Sequence, residues 1–326
     1  MGTFDWQDRR VLVTGCTGFL GSWLTRELVD REAEVVGLVR DWRPDSELVR
    51  SGLLERIITV TGDIVDYELL ERLLAEYEIE FIFHLAAQTI VSIANRAPLS
   101  TFETNIKGTW VLLEAARRNP TVRGVVIASS DKAYGTHEQL PYQEDFALRG
   151  QHPYDVSKSC ADLIARAYAT TYALPLAVTR LANIYGGGDL NWNRLIPGTI
   201  RSVIRGHKPI IRSDGTFERD YLYVKDAVRG YLLLASRLTD PEICGQAFNF
   251  GLDQPVGVLE TVQAIIRLVG KPQLEPIILD QAHNEIPDQY LDASKARSVL
   301  GWEPNYSLEQ GLVESIEWYT DYLDDR

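Results

Sequence analysis

The 326-residue sequence has few cysteines, no long apolar segment and no excess of basic residues. Cys16, Cys160 and Cys244 are odd in number and widely spaced, which excludes a disulfide framework or a cysteine-based zinc site and favours the reducing cytoplasm. No secretory signal is visible, and no apolar run approaches the roughly 18 residues that a membrane span requires. The 33 basic and 46 acidic residues give a net charge of −13, which argues against nucleic acid or an anionic membrane as partners.

Up to residue 182, short apolar segments alternate with amphipathic helical ones. The predicted strands are residues 11–14, 35–39, 57–61, 81–85, 125–129 and 177–181. Between them, residues 66–77 and 109–118 carry apolar side chains at helical intervals. The strands are apolar throughout, as burial on both faces requires, and the alternation favours a parallel sheet. We therefore expect an α/β fold with a doubly wound parallel (Rossmann) sheet.

The pattern changes after Tyr185, where three consecutive glycines (186–188) interrupt it. Beyond them we predict helices near 195–205, 226–237, 259–269 and 308–322, with short strands at 209–212, 221–224 and 247–250. No repeat or long linker separates the two parts. We expect a dinucleotide-binding domain in residues 1–182, an interleaved smaller α/β substrate lobe in residues 183–326, and a ligand cleft between them.

A glycine-rich segment, residues 14–21 (TGCTGFLG), follows the first predicted strand and opens a helix. Gly15, Gly18 and Gly21 permit a tight turn, close approach of backbone N–H groups to a pyrophosphate, and close packing of the helix on the strand. The start of the helix adds partial positive charge. The segment predicts a site for NAD or NADP.

The end of the second predicted strand carries two opposite signals for the choice of cofactor. An acidic residue there binds the ribose hydroxyls of NAD, whereas an arginine nearby accepts the extra phosphate of NADP. Arg40 and Asp41 are adjacent, so both cofactors stay open, with NAD as the first choice. Asp63, after the third predicted strand, is a candidate contact for the adenine.

Tyr154 and Lys158 are four residues apart, which places them one turn apart on one face of a helix. An ammonium favours a neighbouring phenolate, so we expect Lys158 to lower the pKa of Tyr154 below its ordinary value of about 10. Tyr154 could then take a proton from a sugar hydroxyl. Ser130 follows the fifth predicted strand, at the edge of the sheet where α/β proteins bind ligands. The three residues predict a hydride-transfer site around a nicotinamide.

The motif TGxxGxxG, a serine at a strand end and YxxxK together resemble the extended short-chain dehydrogenase/reductase family of sugar-nucleotide epimerases and dehydratases. The resemblance extends from Val11 to about Tyr322 and includes residues 84–88 (HLAAQ). It implies that Ser130 and Tyr154 bind O4 of the sugar and that Lys158 holds the nicotinamide ribose. Implied cofactor contacts are Gly15, Thr17, Gly18, Phe19, Leu20, Gly21, Arg40, Asp41, Asp63, Ile64, Leu85, Ala86, Ala87, Asn105, Tyr154 and Lys158. Implied substrate contacts are Gln88, Asn183, Arg194, Leu195, Arg212 and Arg219.

Within that family, residues 130–134 (SDKAY), 183–189 and 193–197 are most similar to CDP-glucose 4,6-dehydratases. In 4,6-dehydratases an Asp after the strand-end residue helps to expel the C6 hydroxyl as water, and Asp131 matches it. A Glu usually follows and removes the C5 proton, but Lys132 stands here, as in the CDP-glucose branch. Lys132 could accept a proton only if burial or Lys158 favoured its neutral form. In the alternative, it merely pairs with Asp131.

Two other segments leave the nucleotide open. Residues 212–221 are more similar to the general epimerase pattern, and residues 37–40 resemble NADP-using GDP-mannose 4,6-dehydratases. By resemblance we expect a lyase that oxidises C4 transiently, removes water across C5 and C6, and returns the hydride to C6. A C4 epimerase, which needs neither Asp131 nor Lys132, is the alternative. A non-catalytic nucleotide-binding scaffold is a third possibility, against which the intact Ser130, Tyr154 and Lys158 argue.

The expected partners also follow from the resemblance. The substrate is a nucleotide sugar, and the chemistry requires no metal. Family members usually pair through the helices that here comprise residues 109–118 and 154–168, so we expect a homodimer.

Overall fold

The computed structural model describes residues 4–281 and 286–324. The strands, numbered in chain order, are β1 (Arg10–Thr14), β2 (Glu34–Val39), β3 (Ile58–Thr61), β4 (Phe81–His84), β5 (Gly124–Ala128), β6 (Leu176–Leu181), β7 (Asn183–Tyr185), β8 (Ile210–Ile211), β9 (Glu218–Arg219), β10 (Tyr221–Tyr223), β11 (Ala247–Phe250), β12 (Val256–Gly257), β13 (Ile277–Ile278) and β14 (Asp288–Gln289). The α-helices are α1 (Phe19–Asp30), α2 (Glu47–Arg50), α3 (Tyr67–Glu76), α4 (Val91–Arg96), α5 (Pro98–Phe102), α6 (Gly108–Arg118), α7 (Pro153–Tyr172), α8 (Leu195–Ile204), α9 (Val224–Ala235), α10 (Val258–Leu268) and α11 (Leu308–Asp324).

A parallel sheet occupies the centre of the molecule. Over the described residues its strands follow the order β11-β6-β5-β4-β1-β2-β3. Val11 and Val13 of β1 pack into the core on one face, and Leu12 packs into the core on the other. This double burial explains why the strands are apolar throughout. The predicted doubly wound α/β fold is confirmed.

The helix α3 shows how local chemistry sets the bounds of an element. The carboxylate of Asp66 accepts a hydrogen bond of 3.0 Å from the backbone N–H of Leu69, which caps the start of the helix. Leu70, Leu73 and Leu74 are fully buried, at the spacing that places them on one face. The predicted helix, residues 66–77, is therefore the observed helix α3 together with one cap residue at each end.

The strand predicted at residues 247–250 lies in the central sheet, not in the smaller lobe. It forms β11, which pairs in parallel with β6 at the edge of the sheet. The helix α9, which precedes it, packs against β5 and β6. The chain thus returns to the first lobe after residue 183, and all four residues of β11 are buried beside β6.

The smaller lobe consists of short strands and longer helices. Its strand pairs in the described residues are β10 with β7, β8 with β13, and β9 between β12 and β14. The helices α8 and α10 pack together around Val203, Val258 and Val262. This lobe faces the carboxyl ends of the central strands, on both sides of the point between β1 and β4 where the strand order reverses. Across the described residues, no helix combines the length and the apolar character that a membrane crossing would need.

Candidate active site

A cleft with a volume of about 1570 Å³ lies between the central sheet and the smaller lobe. Its walls include the glycine-rich segment, the ends of β2, β4 and β5, the start of α7, and residues of the smaller lobe. Every site residue predicted from the sequence lines this cleft, with the exception of Asn105. The structure therefore brings together residues from both predicted lobes.

The glycine-rich segment leaves backbone groups open to the cleft. Gly15 has a φ of +75°, and a Cβ atom there would lie 2.8 Å from the backbone nitrogen of Ala86. A Cβ on Gly21 would lie 2.1 Å from the carbonyl oxygen of Gly15. The helix α1 begins at Phe19 with Gly18 as its N-cap, and no side chain caps it. This cradle fits the pyrophosphate of a dinucleotide, because free N–H groups and the helix dipole favour an anion there.

The end of β2 presents both predicted cofactor signals to the cleft. Arg40 Nε donates a hydrogen bond of 2.8 Å to Asp41 Oδ2, and both side chains are exposed. Farther along, Asp63 Oδ1 accepts a hydrogen bond of 3.2 Å from the backbone N–H of Val65. Both carboxylates line the cleft near Ile64. The ion pair thus places an acidic and a basic side chain together at the end of β2, where the two predicted cofactors would differ in their contacts.

Asn105 does not line the cleft, and its contact with a cofactor stays a prediction. The side chain is buried. Its oxygen accepts a hydrogen bond of 2.7 Å from the backbone N–H of Gln88, and its amide donates to the Gln88 carbonyl at 3.1 Å and to Ser157 Oγ at 2.8 Å. These bonds use the whole amide. Asn105 therefore fixes the backbone at Gln88, which does line the cleft, and connects it to α7.

Tyr154 lies in the first turn of α7, where its hydroxyl is hydrogen-bonded to Ser130. Burial raises the pKa of Tyr154 to about 12, and the nearby charge of Arg194 and the bond to Ser130 oppose that rise. The prediction that Lys158 lowers the pKa of Tyr154 below its ordinary value is wrong, because the pKa is raised. The physical reason is desolvation, because a phenolate loses more hydration on burial than the neutral phenol does.

Lys158 is buried one turn along α7 and turns towards the end of β5. Its Nζ donates a hydrogen bond of 2.8 Å to the carbonyl oxygen of Ala128. Burial lowers the pKa of Lys158 to about 8. The ammonium form therefore prevails below that pH and is lost as the pH rises through it.

Asp131 follows Ser130 in a short 3₁₀ helix, Asp131–Tyr134, at the end of β5. The side chain is 3% exposed. Its Oδ1 accepts a hydrogen bond of 2.9 Å from Ser130 Oγ, whereas Oδ2 has no partner among the described residues. Burial raises the pKa of Asp131, and the charges of Lys132 and Arg219 oppose the rise. A buried carboxyl with one unpartnered oxygen can hold a proton and deliver it into the cleft.

Lys132 contacts the smaller lobe. Its Nζ lies 3.3 Å from Oε1 of Gln289, and over the described residues it forms no ion pair with Asp131. The structure therefore gives Lys132 a neutral amide as its hydrogen-bond partner, and its role in the reaction stays a prediction. The charge of Lys132 still lowers the pKa of Asp131 and of Asp155, so the amine lies within electrostatic range of both carboxyls.

The predicted arginines approach the cleft from the smaller lobe. Arg194 is the N-cap of α8, and its Nη1 donates a hydrogen bond of 2.9 Å to Asp189 Oδ2. Arg212 Nη2 donates to Asn193 Oδ1 at 2.9 Å. Arg219 contacts the carbonyl oxygens of Glu218 and Pro287. Planar guanidinium groups suit a diphosphate, so these side chains give an acidic protein a locally positive wall.

Sequence reasoning missed several polar residues around this site. Asp189 orients Arg194, and Asp155 lines the cleft one residue after Tyr154. Gln289 contacts Lys132 although 157 positions separate them. Asp220 is fully buried, its Oδ2 has no partner within residues 4–281 and 286–324, and burial raises its pKa to about 7. Asp155 could have been found inside the YxxxK motif, whereas no local pattern identifies Gln289.

Three comparisons relate the chain to known proteins. The sequence model of the GDP-mannose 4,6-dehydratase family matches residues 12–315. A CDP-glucose 4,6-dehydratase of Salmonella typhimurium is 35% identical and matches 98% of this chain and 92% of that protein. The structure of a dTDP-glucose 4,6-dehydratase from Bacillus anthracis in complex with NAD has a TM-score of 0.84 at 29% identity, covering 97% and 98% of the two chains. A UDP-glucose 4-epimerase from Thermotoga maritima, solved with UDP-glucose, has a TM-score of 0.88 at 29% identity, covering 96% and 99%.

Proposed function

The chain belongs to the GDP-mannose 4,6-dehydratase family, and on that premise we propose that it is an NAD-dependent 4,6-dehydratase of a glucose nucleotide such as CDP-glucose. The observation that carries the proposal is the buried Asp131, whose Oδ2 has no partner in the described residues and lies beside Ser130 and Tyr154. A carboxyl in that state is an acid, and only loss of water from C6 needs one. The CDP-glucose dehydratase relative supports the choice of nucleotide.

The glycine cradle and the start of α7 would hold the cofactor. Gly15 and Gly18 line the same cleft as Lys158 and Tyr154. When bound, the nicotinamide would supply the redox chemistry, as the hydride acceptor for C4 of the sugar and the hydride donor for C6. We favour NAD, because Asp41 pairs with Arg40 and so competes with an extra phosphate for that guanidinium.

Oxidation at C4 requires a base for the proton of the O4 hydroxyl. Tyr154 takes that proton, and Ser130 holds the hydroxyl of Tyr154 by a hydrogen bond. With a pKa of about 12 the phenol is neutral near pH 7, so a positive charge must favour its ionised form during the reaction. Arg194 already lowers this pKa, and Lys158 lies one helical turn away.

Loss of water requires a base at C5 and an acid at C6. The 4-keto group acidifies the C5 hydrogen, and the neutral amine of Lys132 takes the proton. The electron pair of that C–H bond forms the double bond between C5 and C6. The C6–O bond breaks, and Asp131 provides the proton that completes the water molecule. Lys132 is left as an ammonium and Asp131 as a carboxylate, so the two neighbouring charges balance. Once C6 has received a hydride, the Lys132 ammonium returns its proton to C5, so that the sugar has lost one water and nothing else.

Incubation with a panel of nucleotide sugars tests the proposed function. The panel comprises CDP-, UDP-, GDP- and dTDP-glucose and GDP-mannose, with the products identified by mass spectrometry. We expect a product lighter by one water, formed fastest from CDP-glucose. Unchanged mass with a new stereoisomer would instead establish a C4 epimerase, the activity named for the Thermotoga maritima neighbour. Nucleotide binding without turnover of any sugar would favour a scaffold.

We further propose a homodimer that pairs through α6 and α7. These helices pack against each other and expose apolar side chains, with Trp110 43%, Leu163 55% and Tyr172 54% exposed. Contiguous exposed apolar groups favour contact with a second copy of the chain. Leu163→Glu is expected to convert the dimer into a monomer in sedimentation velocity at micromolar concentration. Val313→Glu, which places the same charge on α11 at a residue 40% exposed, should leave the dimer intact.

The three cysteines support a cytoplasmic location, which we also propose. All three are free thiols. Cys16 is buried, and burial raises its pKa to about 12, so it stays a neutral thiol under physiological conditions. Free thiols persist best in a reducing compartment.

A further inference from the structure

Gln289 lies behind the cleft, on the strand of the smaller lobe that comes closest to Lys132. The strand β14 runs parallel to β9, with Gln289 paired to Arg219. The side chain of Gln289 is fully buried, and its Oε1 lies 3.3 Å from Lys132 Nζ. Lys132 lines the cleft and Gln289 does not. The amide therefore holds the lysine from outside the cleft and joins the two lobes.

The chemistry of Lys132 fixes the orientation of this amide. An ammonium has donors only, so the carbonyl oxygen of Gln289 must face it. The Nε2 group is then buried, and it has no partner in the part of the chain that the structure describes. A buried donor without a partner costs stability. The side chain thus keeps the contact between Oε1 and Lys132 although its Nε2 group lacks a hydrogen-bond partner among the described residues. This points to a role for the contact with Lys132.

Two carboxyls compete with Gln289 for the lysine. The charge of Lys132 lowers the pKa of both Asp131 and Asp155. In residues 4–281 and 286–324, Lys132 nevertheless forms an ion pair with neither of them, and Asp131 Oδ2 has no partner. A carboxylate as the acceptor would favour the ammonium form of Lys132, whereas a neutral amide orients the amine without adding negative charge.

We propose that Gln289 is a positioning residue for the removal of the C5 proton, because its carbonyl oxygen holds the Lys132 amine at the cleft and out of an ion pair with Asp131 or Asp155. The inference rests on the proposed function, since only a dehydratase needs a base at C5. Gln289 forms and breaks no bond itself. It acts by orienting the amine of Lys132 at the cleft and by keeping Asp131 free to donate a proton.

Other titratable groups also lie near Lys132, and each of them can contribute to the pH dependence of kcat. They come from its own segment, from the start of α7, and from the strand next to β14: Asp131, His152, Tyr154, Asp155, Lys158, Arg219 and Asp220. Substitution at position 289 leaves these side chains in place, but a new charge there acts on all of them. A shift of the pH profile in a Gln289 variant therefore reports on Lys132 only together with the double variant that also removes the lysine.

Gln289→Glu and Gln289→Met test the inference through the pH profile of kcat for loss of water. The step needs the neutral amine of Lys132, and a carboxylate at position 289 favours the ammonium instead. In Gln289→Glu we therefore expect the pH profile of kcat to move towards higher pH by about 1–3 pH units. Gln289→Met has no acceptor at that position, and we expect kcat to fall roughly 10- to 100-fold with KM little changed. A purely structural glutamine would neither move the pH profile nor lower kcat selectively.

Two further variants control this experiment. Asp288→Asn changes the exposed neighbour of Gln289 on β14, whose carboxylate accepts a hydrogen bond from the Glu218 backbone. This variant should have the same pH profile of kcat as wild type. The double variant Lys132→Met with Gln289→Met should be no slower than Lys132→Met alone, because Gln289 acts only through the lysine. This comparison also serves if Gln289→Glu does not fold.

The possible outcomes separate the inference from the proposed function. If wild type removes water from a glucose nucleotide but Gln289→Glu keeps the wild-type profile, or the losses in the double variant multiply, the positioning role is wrong and the dehydratase stands. If wild type returns only stereoisomers of unchanged mass, the dehydratase and the positioning role both fail. A shifted profile together with a non-additive double variant supports both.

Discussion

Replacing Tyr154 by phenylalanine is expected to lower kcat for loss of water by about 10²- to 10⁴-fold. The ring still fills its buried place at the start of α7, but the hydroxyl that is hydrogen-bonded to Ser130 is gone. No proton acceptor then remains for O4, so oxidation at C4 and everything after it should stop together. Single-turnover measurement of the near-ultraviolet absorbance change that accompanies C4 oxidation checks this, alongside steady-state product formation.

A second tyrosine on the same helix provides the control for this prediction. Tyr172 ends α7, is 54% exposed and lies outside the cleft. Tyr172→Phe should therefore keep the wild-type kcat. If Tyr154→Phe also kept it, the assignment of the base would be wrong. The proposed chemistry would then need another acceptor for the O4 proton.

The sequence was sufficient for the fold and for most positions around the cleft, because both depend on local patterns. The strand with Val11, Leu12 and Val13 is apolar on both faces, and the structure buries all three residues in a central parallel strand. The glycines at 15, 18 and 21 follow that strand directly, so their place at the end of β1 was predictable. Apart from Asn105, the predicted side chains all line one cleft.

Long-range contacts and the effects of desolvation could not be predicted from the sequence. The strand at 247–250 has an apolar pattern that fits either lobe, and only the tertiary packing beside β6 decides between them. The spacing of Tyr154 and Lys158 predicts that they are neighbours, yet burial outweighs that proximity and raises the pKa of the tyrosine. Gln289 contacts Lys132 although 157 positions separate them in the sequence. No sequence motif predicts a neutral amide as the hydrogen-bond acceptor of this lysine.

Asp131→Asn is expected to separate the two halves of the reaction. Loss of water should fall by about 10²- to 10⁴-fold, because the amide cannot donate the proton that the C6 oxygen needs. Oxidation at C4 should persist, since Tyr154 and Ser130 are unchanged and the amide oxygen can still accept the hydrogen bond from Ser130 Oγ. Single-turnover absorbance would then show the C4 oxidation phase, while mass spectrometry would show no dehydrated product.

The pH dependence of the wild-type reaction bears on the same residue. Because burial raises the pKa of Asp131, its protonated form persists to higher pH than that of an ordinary carboxyl, and loss of water should decline as the pH rises through that value. Asp155→Asn is the matched control, since Asp155 also lines the cleft, also has a pKa raised by burial and also lies near Lys132. It should keep most of the activity and the same decline. If Asp155→Asn abolished loss of water and Asp131→Asn did not, the acid would be Asp155, and the unpartnered oxygen of Asp131 would need another explanation.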